Sequence, residues 1–175
     1  MRCRGPQVTT ASTTRLRAPE ISDGARIWEI AGRSGELDLN SSYSYLMWCR
    51  DHRETSIVAE VDGRTVGFVT GYIRPTAPQT LFVWQVAVDA EYRGRGIGVA
   101  MLGGLVDRLR GRSITMLETT ITRDNAGSIA MFSALARSRG ADIGRSSLFE
   151  SEDFPDGHAA EELYTIGPFP RIGLS

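Results

Sequence analysis

The sequence predicts an α/β (α+β) fold, a mixed, twisted central sheet of about seven strands flanked by about four helices. Three observations carry that expectation. Apolar, β-branched runs alternate with segments whose apolar residues recur at three- and four-residue spacing. Asp62-Gly63 separates two such runs and marks a tight hairpin. A strand ending at Val88 passes through a glycine-rich turn into a helix and then another strand, which implies a right-handed parallel crossover.

Each element follows in order. Residues 1 to about 14 are rich in Thr, Ser, Gln and Pro and read as a disordered tail, leaving 15–175 as a single domain. A short strand near Leu16 to Ala18 precedes Pro19. Ser22 is expected to cap a helix to about Gly32, and Asn40 or Ser41 a second over Ser42 to Arg50. Ser56–Val61 and Thr65–Ile73 form the hairpin, and Pro75 and Pro78 bound the next loop. Leu81–Val88 is apolar on both faces, as a central strand should be. A helix from Gly96 to about Arg110 buries Ile97, Met101, Leu102, Leu105, Val106 and Leu109. Ile114–Thr120 is the crossover strand. Asp124 or Asn125 starts a helix that Gly140 ends, and Ser146–Phe149 with Glu162–Ile166 close the chain as antiparallel strands.

Composition narrows the chemistry. The chain has 175 residues, a net charge of −1 and 20 basic residues, all of them arginine. Without lysine there is no Schiff-base nucleophile. Near-neutral charge favours neither nucleic acid nor an anionic membrane as partner. The two histidines, His52 and His158, form no zinc spacing with Cys3 and Cys49, so no metal is expected, nor a disulfide framework. The polar start and short apolar runs point to a soluble cytoplasmic protein.

The strongest local signal is Asp89-Ala90-Glu91-Tyr92-Arg93-Gly94-Arg95-Gly96-Ile97-Gly98 after a Val86-Ala87-Val88 strand. A helix N-terminus presents unpaired N–H groups and partial positive charge, and glycines let a large anion approach the backbone. Arg93 and Arg95 would add fixed charge, so the loop reads as a pyrophosphate cradle. The third glycine of a dinucleotide fingerprint falls on Val99, and a P-loop needs lysine.

Arg93-x-x-Gly96-x-Gly98 after Val-Ala-Val resembles the acetyl-coenzyme A loop of the GNAT superfamily of N-acetyltransferases, and the order of elements is theirs as well. Further segments are similar to the L-2,4-diaminobutyrate acetyltransferases of ectoine biosynthesis. They are Asp38–Leu46, Val66–Tyr72, Thr80–Val88, Leu117–Thr122 and Gly157–Phe169. The resemblance implies a GNAT fold, acetyl-coenzyme A as co-substrate and acetylation of the γ-amine of diaminobutyrate by a homodimer. It also implies that Val86, Ala87 and Val88 pair with the pantetheine arm, that Val86 to Val88 N–H groups polarise the thioester, and that Gly94, Gly96, Ile97 and Gly98 hold pyrophosphate with Arg93 and Arg95. Asn125 matches the family's asparagine near the pantetheine. The position where many GNAT enzymes carry a proton-donating tyrosine is Phe132, which leaves Tyr164 or His158 as conceivable donors.

The remaining candidates carry more than one reading each. Glu118, a carboxylate in an otherwise apolar strand, is the candidate base that deprotonates the acceptor amine; it could instead bind the ammonium or pair with an arginine. Asp38 caps a helix or counters a substrate ammonium. Trp84 is core or, from the resemblance, a pocket wall with Gln85 on the opposite face. Tyr43 and Tyr45 wall the acceptor pocket or pack their helix. In the acidic run from Glu150 to Glu162, Glu150 is the expected ligand, and Glu161 and Glu162 the expected surface residues. Two alternatives stand beside this enzyme: acetylation of another small amine, and a non-catalytic acyl-coenzyme A sensor.

Overall fold

The computed structural model describes residues 13–170. The expected tail lies almost wholly outside the described residues, and Cys3 with it. Seven strands form one sheet in the order β1-β2-β3-β4-β5-β7-β6. The strands are β1 (Arg15–Arg17), β2 (Ile57–Val61), β3 (Arg64–Arg74), β4 (Ala77–Val88), β5 (Met116–Thr122), β6 (Ile143–Phe149) and β7 (Glu161–Ile166). The helices are α1 (Gly24–Ser34), α2 (Ser42–Asp51), α3 (Ile97–Leu109) and α4 (Ala126–Arg139). β4 and β5, joined through α3, pair in parallel, as the crossover predicts. β7 inserts between β5 and β6, antiparallel to both.

Local chemistry sets most boundaries. Ser41 caps α2 by accepting from Ser44 N–H, and Asn125 caps α4 through Ser128 N–H. Asp62 (φ 52°) and Gly63 (φ 76°) form the left-handed pair that a two-residue hairpin needs. Ser22 does not cap α1. Ile21–Asp23 instead make a 3₁₀ turn closed by a reciprocal box, in which Glu20 N–H donates to Asp23 Oδ2 at 2.7 Å. Pro75 opens the turn between β3 and β4, as expected, but Pro78 does not close it. Pro78 lies inside β4, at a register irregularity where its missing N–H costs no ladder bond.

Each face of the sheet carries its own core. Leu102, Leu105, Val106, Phe132 and Leu135 of α3 and α4 pack on Val69, Leu81, Val83 and Leu117. Ile27, Ile30, Tyr45 and Cys49 of α1 and α2 pack on Val58, Phe68 and Ala87. Burial pushes the Cys49 thiol up to about 11, which keeps it inert.

One irregularity organises the centre. Thr70 opposes Gln85 and Gly71 opposes Val83, so Trp84 is an extra residue in β4 without a partner on β3. The bulge reverses the alternation along β4. Val83 faces the α3/α4 core, whereas Trp84 and Gln85 both turn toward α2, stacking on Trp48 and bonding Tyr45 respectively. The expectation that Gln85 lies opposite Trp84 is thereby corrected, because strict alternation fails at a bulge. Gly71 permits the distortion, since a Cβ there would lie 2.7 Å from the Phe82 carbonyl oxygen. Beyond the bulge β4 and β5 separate. β5 pairs with β4 only from Met116 to Thr119, while β4 stays on β3 to Val88 and β5 on β7 to Thr122.

Candidate active site

The separation between β4 and β5 connects two cavities. The first, about 330 Å³, is lined by Val86, Val88, Gly94, Gly96, Gly98 and Met131, among others. Gly94 (φ 74°) and Gly96 (φ 73°) adopt left-handed backbone with open space where a Cβ would point. No side chain caps α3 at Gly96, so its first N–H groups face the cavity mouth as free donors. Gly98 lines the cradle and also serves packing, because a Cβ there would stand 2.5 Å from Met131 Sδ on α4. The cradle fits a pyrophosphate in chemistry and shape.

The two arginines differ from expectation. Arg93 lines this cavity, but its guanidinium donates to the carbonyls of Val88 and Ser34, each at 3.1 Å, and ties the loop to the end of α1. Arg95 is not among the lining residues. It lies over the Tyr92 ring at 4.9 Å and donates to the Glu91 carbonyl, because the turn at Gly94 and Gly96 points it back along the chain.

The second cavity, about 680 Å³, opens on the α1/α2 face. Trp48, Tyr72, Phe82 and Trp84 form one wall, with Trp48 stacked on Trp84 at 4.9 Å. Arg74 and Glu118 meet there at 2.8 Å, the Glu118 side chain only 14% exposed. Of the readings open for Glu118, the arginine pair is the one observed. Asp38, Asp156, His158 and Glu161 line the mouth. His158 stands 3.1 Å from Asp38 and 3.8 Å from Glu161 through Nε2, and its Nδ1 pairs with the Ala159 carbonyl at 2.8 Å. That carbonyl, with the two carboxylates, holds the imidazole above its ordinary pKa.

A third cavity of about 260 Å³ runs through the separation itself and contains Val86, Thr120, Asn125 and Phe132. Asp38, Trp84, Thr120, His158 and Glu161 line both it and the second cavity. A group in the second cavity, the candidate acceptor cavity, therefore reaches one beside Val86 past these side chains. Val86 remains paired with Val69.

Several sequence candidates fall elsewhere. Tyr43 is 67% exposed and lines none of the three cavities, because α2 buries the face that carries Tyr45 and Cys49. Tyr45 is fully buried against Phe68 and packs rather than walls. Glu150 accepts from Ser147 and closes the 3₁₀ turn Ser151–Asp153 with Asp153, away from the acceptor cavity. The acids expected at the surface are the inward ones. Glu161 lines the passage, and Glu162 is buried and paired with Arg123 at 2.9 Å, because β7 is an interior strand. Tyr164 lies in the α3/α4 core, on the face away from the acceptor cavity. Asp156, one of the acids of the Glu150–Glu162 run, lines the second cavity, whereas Arg74 and Trp48 were missed. Arg74 carries no local motif, and only strand pairing reveals that it shares a face with Glu118.

The profile of the acetyltransferase (GNAT) family matches residues 24–136, which defines the class of protein that this fold and glycine loop belong to. The L-2,4-diaminobutyric acid acetyltransferase of Nocardia farcinica is 57% identical over 91% of this chain and 82% of its own. That of Streptomyces coelicolor is 55% identical over 91% and 95%. The solved diaminobutyrate acetyltransferase of Paenibacillus lautus, in complex with its substrate L-2,4-diaminobutyric acid and coenzyme A, superposes with a TM-score of 0.86 at 38% identity, covering 93% of this chain and 100% of that one. The chain belongs to the L-2,4-diaminobutyric acid acetyltransferase family of GNAT enzymes.

Proposed function

We propose that the protein transfers the acetyl group of acetyl-coenzyme A to the γ-amine of L-2,4-diaminobutyrate, giving the precursor that a cyclising enzyme closes to ectoine. The observation that carries this reading is the Arg74–Glu118 pair in an aromatic cavity rimmed by Asp38, Asp156 and Glu161, open to a pyrophosphate cradle through the β4/β5 separation. Such a cavity offers one fixed cation for a carboxylate and several anions for two ammonium groups. The substrate held by the Paenibacillus lautus relative has that charge pattern.

The chain's residues divide the work as follows. The α3 N-terminus with Gly94, Gly96, Ile97 and Gly98 binds the diphosphate, Arg93 braces the loop, and Asn125 borders the pantetheine path. Ala87 and Val88 continue the strand edge along which the arm lies, and Val86 N–H stabilises the oxyanion as the amine attacks the thioester carbon. Trp84 packs the acceptor's carbon chain. Arg74 takes its carboxylate, and Glu118, oriented by Arg74, faces the ammonium next to that carboxylate. Glu118 pairs in register with Phe82, one pleat short of Trp84, whereas Glu161 and Asp38 border the passage. Glu161 is accordingly the proton acceptor for the γ-ammonium, and His158, whose protonated form the Ala159 carbonyl and the two carboxylates favour, is the donor to the departing thiolate in place of a tyrosine at Phe132. A thiolate is a tolerable leaving group, with a pKa near ~8.5, so positioning and charge suffice.

Residues 15–175 are read as one catalytic domain and the protein as a cytoplasmic homodimer serving osmoprotection. Dependence on acetyl-coenzyme A supports the location. Exposed Leu39, Tyr43 and Leu46 offer apolar surface for a second copy.

The test is coenzyme A release by the purified protein with diaminobutyrate, ornithine, lysine and polyamines, the product's acetyl position being read by NMR. Strong preference for diaminobutyrate with γ-acetylation is expected. Coenzyme binding without acceptor-dependent release would return the weight to a sensor.

A further inference from the structure

We infer that Gln85 is a positioning residue for acceptor binding, its buried amide fixing the α1–α2 connection so that Asp38 meets His158 at the passage. Gln85 is 5% exposed, between Val83 and Ala87 on the central strand. An apolar side chain would fill that position without the requirement for hydrogen bonds. Both ends of the amide are instead engaged. The Tyr45 hydroxyl donates to Gln85 Oε1 at 3.0 Å, and Gln85 Nε2 donates to the Asp38 carbonyl at 2.9 Å. Tyr45 is fully buried, so the orientation of the amide is set from inside the α2 core.

Besides Gln85, the connection is held at its start and by Leu37, which packs on the α1/α2 core. At the start Ser34 Oγ accepts from Glu36 and Leu37 N–H, and Arg93 of the glycine loop donates to the Ser34 carbonyl. At its middle, besides Gln85, the local Asn40 amide reaches the same Asp38 carbonyl at 3.3 Å. The Asp38 side chain is 82% exposed and reaches His158 at 3.1 Å, so nothing packed around the carboxylate directs it. The direction comes from its backbone, whose carbonyl takes its shorter hydrogen bond from Gln85, the one partner fixed in the sheet. The β-bulge makes this possible, since Trp84 and Gln85 face the same side and one dipeptide supplies both the cavity wall and the anchor behind it. The groups facing His158 are Asp38, Glu161, the Ala159 carbonyl and the Phe154 ring, and the Asp156 carboxylate accepts from its backbone N–H at 3.3 Å.

This inference rests on the proposed function for its kinetic arm only. In Gln85→Met, a near-isosteric change without hydrogen bonds, the KM for diaminobutyrate should rise about tenfold, the equivalent of one well-made buried hydrogen bond. The KM for acetyl-coenzyme A should stay within about twofold, because the cradle is untouched. In the ligand-free variant the His158 titration, followed by imidazole NMR, should move down toward the ordinary histidine value as Asp38 drifts away. Tyr45→Phe should act in the same direction by about threefold, and it decides the matter if Gln85→Met does not fold. A folded variant with the acceptor KM and the His158 titration both unchanged overturns the inference. So does an equal rise in both KM values with His158 unmoved, the mark of a merely structural residue. If the native protein does not use diaminobutyrate, the proposed substrate fails, and the titration arm still decides the role of Gln85.

Discussion

Arg74 and Glu118 meet at 2.8 Å although their strands are not neighbours, the pair reaching across β4 over the Phe82 row. A guanidinium that spends one nitrogen on Glu118 keeps further donors for a substrate carboxylate. Charge-assisted hydrogen bonds contribute roughly 1.5–3 kcal/mol each, so Arg74→Met should raise the KM for diaminobutyrate by about ten- to a hundredfold. 1,3-Diaminopropane, the same diamine without the carboxylate, should lose less than about threefold. Equal losses on both substrates would remove Arg74 from carboxylate recognition. Glu118→Gln separates a base from a binder in the same assay. A risen KM with kcat largely kept is expected, whereas a fall in kcat of a hundredfold or more, the scale of general-base loss, would assign Glu118 the proton transfer.

The pyrophosphate cradle is open to a direct test at Gly96. No atom lies within 4 Å of the position a Cβ would take, so substitution does not clash. Its φ of 73° still disfavours an L side chain, and Asp would place negative charge against the α3 N-terminus. Gly96→Asp should weaken coenzyme A binding by about tenfold or more in calorimetry, the sum of a strained backbone and a repelled phosphate. Unchanged affinity would mean that the phosphates bind elsewhere.

Most of the fold was legible because it is written in short-range chemistry. Asp62-Gly63, the Ser41 and Asn125 caps, the apolar spacing of α3 and the Gly140 stop each act within a few residues. The glycine loop was legible for the same reason. What escaped depends on neighbours distant in sequence. The Trp84 bulge exists only against β3, and without it Gln85 is assigned to the wrong face. Glu162 reads as a surface acid until β7 is seen to lie between β5 and β6. Arg74 joins the site through a strand order that no local pattern records, and Glu150 leaves it because its carboxylate is consumed by a local turn.

The contact between His158 and Asp38 sets a pH dependence of known sign. The Ala159 carbonyl, Asp38 and Glu161 together raise the folded-state pKa of His158. The contact is then fully formed below the ordinary histidine value of about 6.5 and is lost as pH rises through the raised one. NMR titration should find His158 above that ordinary value, and Asp38→Asn should bring it down. A midpoint at or below about 6.5 in the native protein would remove the charged pair from the passage.

Far from the cavities, Asp23 tests what holds β1 and α1 on the sheet. Burial opposes its ionisation, yet the carboxylate accepts from Arg17 at 2.7 and 2.9 Å, from Glu20 N–H at 2.7 Å and from the Thr65 hydroxyl at 2.7 Å, and its pKa ends below the usual value. Arg17 also reaches Glu60 at 2.9 Å, so removing Asp23 leaves a partly buried network short of charge. Asp23→Asn should cost on the order of 3 kcal/mol in urea unfolding at pH 7, the scale for breaking one side of a buried pair. Because the folded pKa is depressed, that contribution is present above the unfolded value of about 3.9 and is lost as pH falls through the folded one. The stability gap between native protein and variant should therefore hold from pH ~7 to ~5 and close below ~4. A gap that persists unchanged into acid would show that Asp23 acts through shape and not through its charge.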